Sequence, residues 1–176
     1  MSQQPIHIQP RSQPVRIPDQ VASFSPEVEA EIDRHLAKYP VQRSAILPLM
    51  FIVQRERGYL DPAGVAYLAK RLGLRITDIW EVATFYSMLH TKPIGKYHIQ
   101  VCRTLSCKIM GSDSITKYCS DKLGIKPGGT TADGRFSLSE VECLGSCGTA
   151  PMFQINFDYH ENLTAETVGQ ILDSLP

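Results

Sequence analysis

The apolar positions of residues 25–92 recur with the period of an amphipathic helix, and they predict four consecutive helices. The first helix is expected to begin at Pro26 with Ser25 as its N-cap, because a serine hydroxyl satisfies a free amide of the first turn. The other three helices are predicted over residues 44–57, over residues 61–73, and from a cap at Thr77 or Asp78 towards Leu89. Short connections make neighbouring helices pack together, so this stretch predicts a small four-helix unit.

The hydrophobic period changes beyond Gly95 from roughly 3.6 residues to 2, which indicates strands. Apolar and polar residues alternate from Tyr97 to Cys102, so the first strand is expected to deliver Cys102 from the face opposite its apolar side chains. There follow a predicted helix over residues 111–123, a strand ending at Cys143, a strand over residues 152–157, a turn over residues 158–163 and a helix capped by Thr164. This β-α-β-β-α order indicates a compact thioredoxin-like α/β domain, and it places the whole chain in the α+β class.

Three segments with different compositions divide the chain. Residues 1–24 are polar and contain four prolines, so they are expected to form a flexible arm that cannot bury enough apolar surface to fold alone. Residues 25–92 form the predicted helical bundle, which we expect to dock a partner. Residues 93–176 form the predicted thioredoxin-like domain.

Charge and hydropathy exclude several classes of function. The chain has 18 basic and 18 acidic residues, so its charge balance favours neither nucleic acid nor a membrane surface. The longest apolar run, from Ala45 to Val53, contains a proline and has about half the length that spans a bilayer. The first 25 residues lack the profile of a secretory signal. We therefore expect a cytoplasmic protein that neither binds nucleic acid nor inserts directly into a membrane.

Four of the five cysteines fall into two tight pairs, Cys102-x4-Cys107 and Cys143-x3-Cys147, which 35 residues separate. Paired cysteines in the cytoplasm more often hold metal or perform redox chemistry than form stable disulfides. The fifth, Cys119, falls on the apolar face of a predicted helix and is expected to be a buried structural residue. The two pairs therefore predict one site with four thiolates.

Thiolate ligands alone do not identify the metal, because they suit zinc, Cu(I) and iron–sulfur clusters. Both spacings lie within the range of structural zinc sites, although neither has the Cys-x2-Cys spacing of a zinc ribbon. A [2Fe–2S] cluster needs two thiolates on each iron, and two separated pairs meet that need. The spacing favours the cluster and leaves a zinc-stabilised interaction module open, whereas a dithiol oxidoreductase is disfavoured because Cys-x-x-Cys is absent.

The residues next to the cysteines favour a redox cluster. Two glycines let backbone amides approach sulfur, three hydroxyl groups can donate hydrogen bonds to it, and two cations can offset the charge of a reduced cluster. These are Gly145 and Gly148, then Thr104, Ser106 and Ser146, and finally Arg103 and Lys108.

The cysteine spacing, together with the phrase from Val141 to Pro151 (VECLGSCGTAP), closely resembles the family of E subunits of NADH-quinone oxidoreductases. These proteins belong to the thioredoxin-like [2Fe–2S] ferredoxins of respiratory complex I. The likeness covers residues 26–176, including the phrases at residues 82–86 (VATFY) and 159–164 (YHENLT).

The resemblance implies that Cys102, Cys107, Cys143 and Cys147 ligate one [2Fe–2S] cluster, the first pair on one iron and the second pair on the other. It also implies an electron-transfer subunit of an oxidoreductase that has no complete active site of its own. Its partners would be the flavin- and NADH-binding subunit (the F-type subunit), which alone holds FMN and NAD, and further peripheral-arm subunits of a complex at the inner membrane. The FMN would exchange single electrons with the cluster. Related subunits serve NAD-linked hydrogenases and formate dehydrogenases, and the motif does not separate them.

Overall fold

A computed structural model describes residues 21–176 of the chain, which divide into two compact units, one ending at Thr91 and one from Lys92 to Pro176. The first unit is helical and the second is built on a mixed four-stranded sheet, so the predicted α+β class is confirmed. The predicted arm falls mostly on residues 1–20, outside the described part. Among residues 21–176, no helix has the length and apolar character needed to cross a membrane.

Four helices, α1 to α4, form most of the first unit, and the capping residues of the sequence mark where α1 and α3 begin. Ser25 accepts a hydrogen bond from the Val28 amide at the start of α1, and Asp61 accepts one from the Gly64 amide at the start of α3. Gly73 ends α3 in the left-handed conformation that glycine adopts without strain. The four helices are Pro26–Leu36 (α1), Ile46–Arg57 (α2), Pro62–Leu72 (α3) and Ile76–Phe85 (α4).

The predicted limits of α4 are wrong at both ends. The helix begins at Ile76, and Arg75 occupies the N-cap position instead of Thr77 or Asp78. Asp78 caps the helix from inside its first turn, where its carboxylate accepts hydrogen bonds from the Arg75 amide at 3.1 Å and the Arg75 guanidinium at 2.8 Å. The backbone turns extended at Tyr86, so the helix does not continue towards Leu89. The residues beyond the helix remain apolar, which is why the hydrophobic period overestimates its length.

The core of the helical unit contains the apolar stripes that the sequence predicts. Its fully buried side chains come from all four helices, and their removal from water supplies most of the driving force for folding. They include Ile32 of α1, Leu49, Met50 and Val53 of α2, Val65 and Leu68 of α3, and Ile79 of α4. Phe24, at the described end of the predicted arm, packs edge-on against the Tyr67 ring with centroids 4.8 Å apart.

A four-stranded sheet in the order β2-β1-β3-β4 organises the second unit. Strand β1 is parallel to β2 and antiparallel to β3, and β3 is antiparallel to β4. Two helices, α5 and α6, connect the parallel strands β1 and β2. The strands are Tyr97–Cys102 (β1), Phe136–Val141 (β2), Phe153–Ile155 (β3) and Asp158–His160 (β4), and the helices are Leu105–Ile109 (α5), Ser112–Leu123 (α6) and Ala165–Ser174 (α7).

Three predictions for this unit are wrong in detail. The predicted strand over residues 152–157 and the turn after it form a β-hairpin, which reverses at Asn156 with φ of 55°. The second strand ends at Val141 and not at Cys143, so Cys143 lies in a loop. The short helix α5, which carries Cys107, was not predicted, because five residues are too few to show a helical period.

The core of the second unit lies between the sheet and its helices. Ile99 and Leu138 from the sheet, together with Cys119 from α6, are completely buried there, which confirms that Cys119 lies in the core. His98 and Gln100, on the face of β1 that also carries Cys102, are buried as well, with 5% and 8% exposure. The end of β1 is therefore enclosed on both faces, and it provides a rigid support for Cys102.

Candidate four-cysteine site

The first cysteine pair is buried at the end of β1. Cys102 is the last residue of the strand and Cys107 lies on α5, and their side chains are only 3% and 2% exposed. The two thiols are close enough for each to affect the pKa of the other. The sharp change from strand to helix at Thr104 is what brings two cysteines separated by four residues together.

The second cysteine pair lies in an exposed loop after β2. The Sγ atoms of Cys143 and Cys147 are 3.7 Å apart, far beyond the length of about 2 Å of a disulfide bond. The Gly145 amide donates a hydrogen bond to Cys143 Sγ at 3.4 Å. Gly145 has φ of 85°, in the left-handed region, so a residue with a side chain would strain the turn that makes this contact.

Leu144 brings the loop of the second pair next to the first pair. Its backbone amide lies close enough to the sulfur of Cys102 to lower the pKa of that thiol. The Leu144 side chain packs with Met152 against Cys102 and Cys107. The charge of Cys147 also makes a small contribution to the raised pKa of Cys107.

The two buried thiols differ in pKa although they are neighbours. Burial is the largest single influence on Cys102 and would raise its pKa, but the donors around the sulfur, led by the Thr104 and Leu144 amides, together outweigh burial, and the pKa falls below its usual value. Burial and the neighbouring Cys102 thiol raise the pKa of Cys107. At Cys119 burial outweighs a hydrogen bond from the backbone and raises the pKa to about 11, as expected for an inert core thiol.

The hydroxyl and charged groups predicted to face the sulfurs are mostly engaged elsewhere. Ser146 bonds to Thr149 and Glu161 rather than to sulfur. Arg103 pairs with Glu142 at 2.6 Å, and Lys108 with Asp113 at 2.7 Å, so their charges are largely balanced. Among the predicted hydroxyl donors, Thr104 lies next to the Cys102 sulfur.

The second-pair loop is held by two residues, Tyr159 and Glu161, that the sequence analysis did not assign to the site. The Tyr159 hydroxyl donates to the Leu144 carbonyl at 2.6 Å, and Glu161 accepts a hydrogen bond from Thr149 Oγ1 at 2.7 Å as well as one from Ser146. These donors lower the pKa of Glu161. Both residues belong to the phrase at residues 159–164 that carries the family resemblance, which was the signal available in the sequence.

The donor set fits a centre that takes two thiolates at each of two metal ions. Two sulfurs bound tetrahedrally at about 2.3 Å from one metal lie about 3.8 Å apart, and the Cys143–Cys147 separation of 3.7 Å meets that requirement. The buried Thr104 hydroxyl lies beside the Cys102 sulfur and makes no hydrogen bond of normal geometry within residues 21–176. In the same part of the chain, no group of three or more His, Cys, Asp or Glu side chains is arranged to hold a metal ion.

Comparison with known proteins identifies relatives over most of the chain. The model of the family described as thioredoxin-like [2Fe-2S] ferredoxin matches residues 32–176. The chain is 50% identical over 143 residues to the E subunit of NADH-quinone oxidoreductase from Rickettsia conorii, covering 80% of this chain and 86% of that protein. It is 44% identical over 144 residues to the E 2 subunit of NADH-quinone oxidoreductase from Rhizobium meliloti, covering 82% and 86% of the two chains.

A solved structure has the same fold. The crystal structure of an NAD+-reducing [NiFe]-hydrogenase in the air-oxidized state matches with a TM-score of 0.63 and 23% sequence identity. The match covers 73% of this chain and 24% of the hydrogenase chain, so this chain corresponds to about a quarter of that protein. At this level of identity the likeness supports the fold alone.

Proposed function

Because the chain belongs to the thioredoxin-like [2Fe-2S] ferredoxin family, we propose that Cys102, Cys107, Cys143 and Cys147 bind one [2Fe–2S] cluster. The first pair would bind one iron and the second pair the other. The observation that carries this proposal is the grouping of the sulfurs into two joined pairs, with 3.7 Å between Cys143 and Cys147. Such a cluster accepts and releases one electron at a time.

Backbone amides around the site would stabilise the negative charge of the ligands. The Gly145 amide donates a hydrogen bond to Cys143 Sγ. The amides of Thr104 and Leu144 lie close enough to the Cys102 sulfur, and the Met152 amide close enough to the Cys107 sulfur, to lower the pKa of these thiols. Amide hydrogen bonds to ligand sulfurs favour the reduced state, because it carries one more negative charge. Since backbone positions are set by the fold, this stabilisation would need little rearrangement when an electron arrives.

The chain serves as an electron-transfer subunit of an oxidoreductase complex. Relatives at 44–50% identity are named as E or E 2 subunits of NADH-quinone oxidoreductase, and the chain spans 86% of the length of the two relatives from Rickettsia conorii and Rhizobium meliloti. We further propose that its cluster exchanges single electrons with FMN on a flavin- and NADH-binding partner. In this arrangement the partner alone binds FMN and NAD and accepts the hydride. The membrane association would come from the assembled complex.

The helical unit would provide a surface for docking the partner. Its last helix, α4, leaves Phe85 79% exposed at its end, and Met88 beyond it is 46% exposed. Large apolar side chains grouped at a surface mark protein contacts more often than chance. We propose that residues 25–92 contact the flavin-binding partner through this end of α4.

The same electron-transfer role would also fit the diaphorase component of an NAD-linked hydrogenase or formate dehydrogenase. The hydrogenase match at 23% identity supports only the fold, whereas the relatives with higher identity described above are named for NADH-quinone oxidoreductase. The identity therefore favours the quinone-linked complex. A zinc-stabilised interaction module would use the same cysteines without electron transfer.

Spectroscopy of anaerobically purified protein tests the cluster. We expect visible absorption, about two iron and two sulfide per chain, and an electron paramagnetic resonance (EPR) signal that appears on reduction. Colourless protein with one zinc per chain would contradict the proposal. For the partner, NADH should reduce the cluster only when the flavin-binding partner is present, and reduction by NADH without it would contradict the proposed division of roles.

A further inference from the structure

One peptide group in the second-pair loop connects a tyrosine to a cysteine sulfur. The carbonyl of Leu144 accepts a hydrogen bond from the Tyr159 hydroxyl at 2.6 Å. The amide of the same peptide group belongs to Gly145 and donates to Cys143 Sγ at 3.4 Å. A peptide group is planar and rigid, so the orientation of its carbonyl sets the orientation of its amide.

The position of Tyr159 is set by the sheet and not by the loop. Tyr159 lies on the edge strand β4, opposite Gln154 of β3. Two residues later, Glu161 accepts hydrogen bonds from Ser146 and Thr149 of the same loop. Strand β4, through Tyr159, and Glu161 just after it therefore contact the loop on both sides of Gly145.

The hydrogen bond from Tyr159 to the Leu144 carbonyl is not needed to satisfy the hydroxyl, and it affects the peptide group that accepts it. Tyr159 is 50% exposed, so water could satisfy its hydroxyl without any protein partner. A hydroxyl that donates to a carbonyl draws electron density from the amide nitrogen, which makes the N–H a stronger donor. In this peptide group the strengthened donor is the Gly145 amide, and its acceptor is the sulfur of Cys143.

We propose that Tyr159 is a positioning residue of the cysteine site that acts through the Leu144–Gly145 peptide. It orients the Gly145 amide towards Cys143 and strengthens that hydrogen bond, and it thereby raises the reduction potential of the cluster. The inference rests on the proposed function, because it requires Cys143 to be a cluster ligand.

Replacement of the hydroxyl tests this role in the full-length, cluster-loaded protein. Tyr159→Phe keeps the ring and removes the donor. In a redox titration followed by EPR, we expect a lower potential, seen as a roughly two- to fourfold smaller reduced-to-oxidised ratio at a fixed ambient potential. The matched control is Tyr97→Phe, which removes a hydroxyl that donates to the Pro176 carbonyl at 3.0 Å in the same unit. The control should keep the wild-type potential.

A second variant covers the case in which Tyr159→Phe does not retain its cluster. Tyr159→meta-fluorotyrosine keeps the hydroxyl and makes it a stronger donor, so the potential should shift upwards. An unchanged or lower potential in the fluorinated protein would overturn the proposal, as would a wild-type potential in Tyr159→Phe. If the wild-type protein holds no cluster, the proposed function fails instead, so the two failures are distinguishable.

Discussion

The backbone amide of Leu144 lies close enough to the sulfur of Cys102, 42 positions earlier in the chain, to lower the pKa of that thiol. Leu144 belongs to the exposed loop of the second cysteine pair, and Cys102 ends a buried strand. This contact and the packing of the Leu144 side chain against Cys102 and Cys107 are the structural reasons for proposing that the four cysteines form one site. A change in the loop should therefore alter the surroundings of the buried pair.

The fifth cysteine provides an internal control for the cluster ligands. We expect serine at Cys102, Cys107, Cys143 or Cys147 to abolish or distort the visible and EPR spectra, because a hydroxyl is a poor ligand for iron in a thiolate site. Cys119→Ser should retain the wild-type spectrum and two iron per chain, with a stability loss of about 1–3 kcal/mol from a buried hydroxyl. Cys119→Ala avoids that buried hydroxyl, and loss of the cluster in this variant would disprove a purely structural role for Cys119.

Weakening the Glu161 contacts should loosen the second-pair loop. In Glu161→Gln the neutral amide accepts weaker hydrogen bonds from Ser146 and Thr149, so Cys147 should be held less firmly. We expect the cluster to lose iron to a chelator several-fold faster, followed by the decay of visible absorption. Glu166→Gln changes an exposed carboxylate on α7 and should decay at the wild-type rate. Equal rates in the two variants would show that Glu161 does not support the loop.

The close approach of Gly95 to β2 predicts a strict requirement for glycine. A Cβ at position 95 would lie 2.6 Å from the carbonyl carbon of Phe136, and the backbone would have to move. Gly95→Ala should therefore destabilise the chain by about 1–3 kcal/mol, measured as a lower midpoint of thermal unfolding by circular dichroism. At Gly148 a Cβ would meet no atom within 4 Å, so Gly148→Ala is the control and should unfold near the wild-type midpoint. A similar midpoint for both variants would contradict the predicted clash.

Asp78 predicts a pH dependence of the helical unit. The hydrogen bond from Arg75 is the main cause that lowers the pKa of Asp78 to about 2. Because the folded pKa lies below the usual value of about 4, the carboxylate stabilises the fold above pH about 4 and loses this effect as the pH falls towards about 2.

Fluorescence of Trp80, the single tryptophan of the chain, follows unfolding of this unit in urea. Asp78→Asn should lower the urea midpoint at neutral pH, and the difference from wild type should shrink as the pH approaches the folded pKa. The control Glu81→Gln changes a carboxylate that is 73% exposed on the same helix and should have little effect. A difference that stays constant with pH would mean that the charge of Asp78 is not what stabilises the helix.

The sequence by itself determined the features that depend on near neighbours. Ser25 and Pro26 start α1 where predicted, because a capping hydrogen bond spans only three residues. Gly58 and Gly73 end α2 and α3 because glycine adopts the left-handed conformation of a helix C-cap without strain, which is also a local property. The spacing within each cysteine pair also indicated a thiolate site before any fold was known, and the burial of Cys119 followed from its helical phase.

Only the tertiary structure decided what depends on distant segments. Strand β4 forms by pairing with the edge of β3. It has only three residues, which are too few to show the period of a strand in the sequence. The contact of Tyr159 with Leu144 follows from that pairing, since no spacing rule relates two residues 15 positions apart. The sequence thus predicts the four sulfurs, and the fold determines which peptide groups and side chains surround them, because hydrogen bonds depend on positions in space and not on order along the chain.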